Sequence, residues 1–217
     1  DYSQAPLANQ RNVSVADQYE PGSVFKIVAV SGALNEGLVT PQTRFDCDLR
    51  TVEYQGRTLK LPRDDDTYDH PLTVAEIISR SSNKGAAQLG MLLGAQRLYG
   101  YARSYGFGEK SGFPVGGEIT GDLAPPARWD SLTITRLPMG QAIGVTPLQM
   151  HYAMAAIASG GVLMRPQIIR QVRDATGEVV YNFGPQARRR VISARTAEIM
   201  AQILTGVTRE GGTASDT

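Results

Sequence analysis

The 217-residue sequence holds one cysteine, Cys47, so no disulfide forms within it and the lone thiol says little about compartment. Histidine is nearly absent: His70 and His151 are the only two. The Gly-x-Ser-x-Gly string of a nucleophile elbow does not occur, so a Ser-His-Asp hydrolase has little to be built from, and neither histidine is expected to be essential. Neither sign of charge is in excess, since the net charge is +1. The arginines are dispersed except for Arg188-Arg189-Arg190, which reads as a solvated loop before Val191-Ile192, and no nucleic-acid partner is expected. No apolar run reaches membrane-spanning length, and no repeat or low-complexity segment interrupts the chain. With 41% hydrophobic and 20% charged residues, the composition fits one globular domain with a substantial core.

Lysine is scarce too, and its placement carries the first chemical signal. Only Lys26, Lys60, Lys84 and Lys110 are found among the 22 basic residues. Lys26 closes Pro21-Gly22-Ser23-Val24-Phe25-Lys26, where a Pro-Gly turn delivers a serine to the start of an apolar run. One helical turn separates Ser23 from Lys26, so both side chains share a face. A serine hydroxyl attacks only when something takes its proton, and an amine does so once burial lowers its pKa. The apolar stretch from Val24 to Val30 supplies that burial, which makes Ser23 a candidate nucleophile and Lys26 its candidate base. The alternative is a lysine snorkelling to solvent from a helix start. A second S-x-x-K runs from Ser81 to Lys84, without an apolar run to bury its lysine.

Ser81-Ser82-Asn83 follows a helix announced by Thr73 as N-cap and Glu76 three residues on, with Leu72, Val74, Ile77 and Ile78 apolar. Such an S-x-N triplet offers a serine able to relay a proton and an asparagine able to hold a substrate amide. Taken alone, it reads better as a polar stop between two helices. Apolar periodicity and end signals predict helices over 23–35, 73–80, 83–93, 95–105, 147–159 and 194–207, with Pro147 in a first turn. Alternating segments 163–173 and 178–181 flank Asp174-Ala175-Thr176-Gly177 and predict a hairpin; 51–61 predicts another, turning at Gln55-Gly56. Asp64-Asp65-Asp66 invites a metal reading, with Thr67, Tyr68, Asp69 and His70 beside it. Consecutive carboxylates point in different directions, so the run is expected to be an exposed loop and no metal is expected.

Seven ordered stretches then fall into one pattern. They are Arg11-Asn12 onward to Lys26; Leu72-Thr73-Val74 leading into Ser81-Ser82-Asn83; Gly106-Phe107-Gly108; Gly140-Gln141-Ala142-Ile143-Gly144-Val145-Thr146-Pro147-Leu148-Gln149-Met150; Ala155 to Gly161; Gly206-Val207-Thr208; and Glu210-Gly211-Gly212-Thr213-Ala214. With them the chain resembles the transpeptidase domain of monofunctional (class B) penicillin-binding proteins over nearly its whole length. The Gly140 to Met150 string is taken as especially diagnostic, because no generic folding requirement asks for it.

The resemblance implies an α+β fold of the penicillin-binding protein and serine β-lactamase kind, and peptidoglycan D,D-transpeptidase chemistry. Ser23 would attack the penultimate D-alanine of a stem peptide with Lys26 as base, Ser81 would relay the proton, and Asn83 would bind substrate. β-Lactams would acylate Ser23 as substrate mimics, and no cofactor is implied. Implied partners are stem peptides and membrane proteins of the division or elongation machinery. The implied location is the periplasmic or extracellular face of the cytoplasmic membrane, with an anchoring helix upstream of Asp1.

The family's third motif, K-[ST]-G, departs from this pattern. Lys110-Ser111-Gly112 matches literally but precedes Phe113-Pro114, and a proline removes a donor that a substrate-pairing strand needs, so it is read as a loop. The expectation is a partial domain over 1–217, ending before that motif and lacking strands of the central sheet at both ends. A β-lactamase or β-lactam sensor of the same fold, and a non-catalytic wall-synthesis scaffold, are the alternatives. The long Gly140 and Gly206 blocks argue against the first, and the joint presence of Ser23, Lys26, Ser81 and Asn83 against the second.

Overall fold

A computed structural model describes residues 2–114 and 116–215. Short 3-10 turns, Tyr2–Gln4 and Leu7–Gln10, and a one-turn helix α1 (Val13–Ala16) lead to a 3-10 turn at Gly22–Phe25. That turn runs directly into α2 (Lys26–Asn35). Strand β1 (Arg44–Phe45), the pair β2 (Thr51–Tyr54) and β3 (Arg57–Lys60), and β4 (Leu72–Thr73) follow. Next come α3 (Val74–Ser79), α4 (Asn83–Leu93), α5 (Ala95–Ser104), α6 (Thr133–Arg136) and α7 (Pro147–Ala158). The chain then forms β5 (Val162–Met164), β6 (Gln171–Arg173), β7 (Val179–Asn182), β8 (Ala187–Arg190) and α8 (Ala194–Thr205). The class is α+β, as expected: helices make the core, and the strands pair only two by two, all antiparallel. Among the described residues no helix is long and apolar enough to cross a membrane.

Local chemistry explains the helix boundaries. Thr73 accepts from the Glu76 N–H while the Glu76 carboxylate takes the Thr73 N–H, a complete capping box for α3. Ser82 caps α4 by accepting from Gly85 N, Ser193 caps α8 by accepting from Thr196 N, and Thr146 with Gln149 makes a second capping box ahead of Pro147. The apolar composition of α2 is not confined to one side, and a helix of that kind belongs inside. It is accordingly buried from Lys26 to Ala33 and packs against α3, α4, α5 and α8. Gly32 permits the close approach on its α4 and α5 side, since a Cβ there would stand 2.8 Å from a Leu93 methyl. Phe25 and Phe107 meet with ring centroids 5.0 Å apart in the same core.

Two strand expectations are corrected. Segment 163–173 is not one strand: β5 ends at Met164 and pairs with β8, while β6 pairs with β7 across the Asp174 to Gly177 turn. Pro166 lies in the break between β5 and β6, where it lacks the N–H a ladder needs. The Arg188-Arg189-Arg190 run is not a solvated loop but part of β8. Arg188 and Arg189 both pair with Glu109, whose single carboxylate offsets part of their charge at a half-buried position. The 51–61 hairpin turns at Gln55-Gly56, both with positive φ, as a two-residue turn of this hand requires.

Candidate active site

Three elements converge on Ser23. The first is the Gly22–Phe25 turn, held from outside by the Gly140 to Met150 string. Gly22 N–H donates to Gly140 O at 3.1 Å, and Gly140 sits at φ 80 where a Cβ would lie 2.1 Å from Gly22 O. Only a glycine fits there. Tyr19 and Val145 exchange backbone hydrogen bonds of 3.0 and 2.9 Å, and the Glu20 carboxylate accepts from Ala142 N at 2.9 Å. Thr146 and Gln149 cap α7, and buried Gln149 donates to Glu109 O and Thr120 O at 2.9 Å each. The string answers a requirement particular to this fold rather than a generic one: it clamps the backbone that presents Ser23.

The second element is the start of α2. Lys26 is 1% exposed, and its ammonium donates to the carbonyl of Ser81 and, at 2.9 Å, to Ser81 Oγ. Burial pushes its pKa from the usual 10.5 down to about 8, with the Asp64 and Asp65 carboxylates pulling part of the way back.

The third element is the junction of α3 and α4. Ser81 N–H donates to Ile78 O at 3.1 Å and Ser82 N–H to Ile77 O at 3.0 Å, the paired bonds of a Schellman motif. Ser81 takes the left-handed position of that motif, φ 57, where glycine is the usual residue. Its hydroxyl lies 2.8 Å from Ser23 Oγ. The chain of contacts is thus Ser23 Oγ, Ser81 Oγ, Lys26 Nζ. Lys26 and Ser23 are joined directly only through the backbone, Lys26 N–H donating to Ser23 O; among the described residues no hydrogen bond joins Lys26 Nζ to Ser23 Oγ, and the amine reaches the exposed hydroxyl through Ser81.

Asn83 is built differently. Its side-chain amide donates to Arg63 O at 2.8 Å, and its backbone N–H to Asp64 Oδ1 at 2.5 Å. Asp64 also accepts from Ser82 Oγ at 2.7 Å and Lys84 N at 3.0 Å, so one carboxylate collects the first N–H groups of α4. Asp64 is partly buried and structural, which corrects the exposed-loop expectation at that residue; Asp65 and Asp66 are exposed as expected. Sequence reasoning missed Asp64 because nothing in an acidic triplet marks which carboxylate meets a helix 18 residues later in the chain.

Beside Ser23 and Ser81 lies a cleft of about 330 Å³ lined by Val24, Ile27, Ile78, Met154, Leu204, Val207, Thr208 and Thr213. Asn83 is not among the lining residues. Thr213 N–H donates to Ser79 O at 3.0 Å, tying the Gly-Gly-Thr-Ala segment to the cleft rim. Lys110-Ser111-Gly112 is a loop, with Ser111 and Gly112 N–H groups taken by the Glu118 carboxylate at 2.6 and 3.2 Å. His70 bonds Asp69 at 2.5 Å and His151 is exposed beside Tyr152; neither contributes to the bonds around Ser23. Among the described residues no group of three or more His, Cys, Asp or Glu side chains could hold a metal. An exposed hydroxyl, a bridging hydroxyl and a buried amine of lowered pKa can activate a serine for acyl transfer.

Comparison with known proteins adds to this geometry. The family description "Penicillin binding protein transpeptidase domain" matches residues 2–217. Stage V sporulation protein D of Bacillus subtilis is 34% identical over 208 residues, covering 95% of this chain and 32% of its own length. A Neisseria flavescens protein named probable peptidoglycan D,D-transpeptidase PenA is 29% identical over 97% of this chain and 48% of its own length. The chain thus spans under half of either relative. The structure of penicillin-binding protein 3 from Mycobacterium tuberculosis complexed with aztreonam superposes with a TM-score of 0.80 at 31% identity, covering 96% of this chain and 48% of that one.

Proposed function

The chain belongs to the penicillin-binding protein transpeptidase family, and from that membership we propose that its parent protein is a peptidoglycan D,D-transpeptidase acting through a Ser23 acyl-enzyme. The observation that carries this reading is the unbroken path from exposed Ser23 through Ser81 to buried Lys26. Ser23 Oγ attacks the carbonyl of the penultimate D-alanine. Its proton passes to Ser81 Oγ as the Ser81 proton passes to neutral Lys26, and the return path protonates the departing D-alanine. With a pKa of about 8, about a tenth of Lys26 is neutral at pH 7. The Ser23 N–H lies in the first turn of a helix, where N–H groups lack intrahelical partners, and it serves as one oxyanion donor.

An amine of a neighbouring stem then resolves the acyl-enzyme, forming the crosslink. The apolar cleft beside Ser23 receives the stem peptide, and Asn83, one residue past Ser82, meets the substrate amide through the oxygen of its side chain. β-Lactams occupy the same position, in keeping with the aztreonam complex of the Mycobacterium relative. Stem peptides confine the enzyme to the outer face of the cytoplasmic membrane, alongside membrane proteins of division or elongation.

The test is to react the full-length protein with a penicillin, digest with trypsin and locate the added mass. An adduct on the 12–26 peptide is expected. An adduct on the 81–84 peptide, or none on a folded protein, would overturn the assignment of Ser23.

A further inference from the structure

A second concave site lies away from Ser23. It encloses about 350 Å³ and is lined by Tyr54, Gln55 and Arg57 of the β2–β3 hairpin, by Trp129 and Asp130, and by Ala95 at the start of α5. Trp129 is the one tryptophan of the chain. Its indole N–H donates to Ala124 O at 2.8 Å, which fixes the ring plane. Asp130 accepts through Oδ1 from Leu132 N, Thr133 N and Thr133 Oγ1 at 3.0, 2.7 and 2.6 Å. These bonds, those from Thr133 foremost, hold its carboxyl below the usual range, so it stays ionised. Among the described residues the Arg57 guanidinium has no hydrogen-bond or ion-pair partner, although Asp130 lines the same groove.

The chemistry of this lining selects a ligand class. A wholly apolar ligand would strip water from Arg57 and Asp130 without pairing them. An anion matching Arg57 would meet the Asp130 carboxylate, and a cation the reverse. A neutral sugar suits all of it: the C–H face of a pyranose packs on an indole or phenol ring, and its hydroxyl and acetamido groups satisfy the guanidinium, the carboxylate and the Gln55 amide. Position points the same way. Ser81 and Ser82 precede α4 and Ala95 follows it, so the groove and the nucleophile stand at opposite ends of that helix. The 11 residues of α4 span ~16 Å. A peptide of about five residues, extended at ~3.4 Å each, covers that distance.

We propose that this groove is a saccharide subsite holding an N-acetylhexosamine unit of the glycan strand whose stem peptide reacts at Ser23. The identity of the strand rests on the transpeptidase reading; the sugar chemistry of the groove does not. The experiment titrates full-length protein with an N-acetylglucosamine tetrasaccharide, which carries no stem peptide, and follows tryptophan fluorescence as the difference between wild type and Trp129→Phe. It is run on free protein and on protein first treated with penicillin. A saturable difference signal, the same with and without penicillin, is expected, together with at least a tenfold weaker affinity in Arg57→Ala. A thermal melt checks the fold of each variant, and Arg57→Ala, at an exposed position, carries the test by calorimetry if Trp129→Phe does not fold. Absence of saturable binding would overturn the subsite. So would binding abolished by penicillin, which would put the sugar in the cleft beside Ser23, or binding unchanged in Arg57→Ala. Failure of the transpeptidase reading shows separately, as a missing adduct on the 12–26 peptide.

Discussion

At Ser81 the backbone is left-handed, φ 57, and the side chain bridges Ser23 and Lys26. A serine in that conformation is strained by roughly 1 kcal/mol where glycine is not. Stability and chemistry therefore pull in opposite directions at one residue, and two substitutions separate them. Ser81→Gly is expected to be roughly 1 kcal/mol more stable than Ser81→Ala, which lacks the same hydroxyl but keeps the strained Cβ, while slowing penicillin acylation by about 100-fold or more, the usual size of a lost proton-transfer group. Ser81→Ala is expected to slow acylation equally without the stability gain; denaturant unfolding and stopped-flow acylation read the two effects. A Ser81→Gly variant that kept its acylation rate would remove Ser81 from the relay. Lys26 makes the pH prediction. The amine must be neutral to accept the proton, so acylation is expected to climb as pH rises through about 8 and to level off above it. Because the folded pKa is below the unfolded one, the unfolded chain binds more protons between about 8 and 10.5, and this group makes stability rise with pH across that window. Ser23 and Lys26 were legible in the sequence because their spacing and the apolar run after them are local facts. Ser81 was legible as a relay through the S-x-N triplet and the family resemblance, but its contacts were not local facts: it lies 58 residues from Ser23, and only the fold places its hydroxyl between the Lys26 amine and Ser23.

Helix ends do most of the positioning at the scale of elements. The α3–α4 junction presents Ser81, and Asp64 ties down the first N–H groups of α4 from outside. Asp64→Asn keeps the shape and removes the charge, which is expected to cost about 1–2 kcal/mol in stability as a helix-start carboxylate is lost. Asp64 also raises the Lys26 pKa, so the midpoint of the acylation profile is expected to move to lower pH in this variant. A shift to higher pH would contradict the assigned electrostatics. Gly140 acts from the other side: with 2.1 Å between an added Cβ and Gly22 O, Gly140→Ala has to displace the serine turn. Both the melting temperature and the acylation rate are expected to fall in Gly140→Ala, whereas a drop in one alone would show that clamp and turn are not coupled. Helices were readable because caps such as Thr73 with Glu76 and Thr146 with Gln149 are written within four residues. Strand partners were not, because β1 pairs with β4 from Arg44 to Thr73 and β5 with β8 from Val162 to Arg190 across intervening chain. Alternation says that a segment is extended and is silent on what lies beside it.

For the molecule as a whole, the buried helix α2 is both the centre of the core and the carrier of Lys26, which raises the question whether global stability and site chemistry can be varied apart. Five residues beyond Lys26 on the same helix, fully buried Ser31 shares a 2.8 Å hydrogen bond with the hydroxyl of fully buried Tyr105, the C-cap residue of α5. Tyr105→Phe keeps the ring and its packing and leaves the Ser31 hydroxyl with only a 3.5 Å contact to Val28 O. The cost is expected to be about 1–3 kcal/mol, the desolvation penalty of a buried polar group without a good partner. Replacing both ends, Ser31→Ala with Tyr105→Phe, removes the orphan and is expected to recover part of that loss. Neither change touches Ser23, Ser81 or the Lys26 amine, so penicillin acylation measured well below the melting temperature is expected to stay within twofold of wild type in both variants. A rate that fell in step with stability would mean that α2 moves as a lever, transmitting a packing change at Ser31 to the amine one and a half turns away. An unchanged rate would mean that the relay is fixed locally, by the αL serine and the Gly140 clamp, and that the core supplies only the burial that keeps part of Lys26 unprotonated near neutral pH.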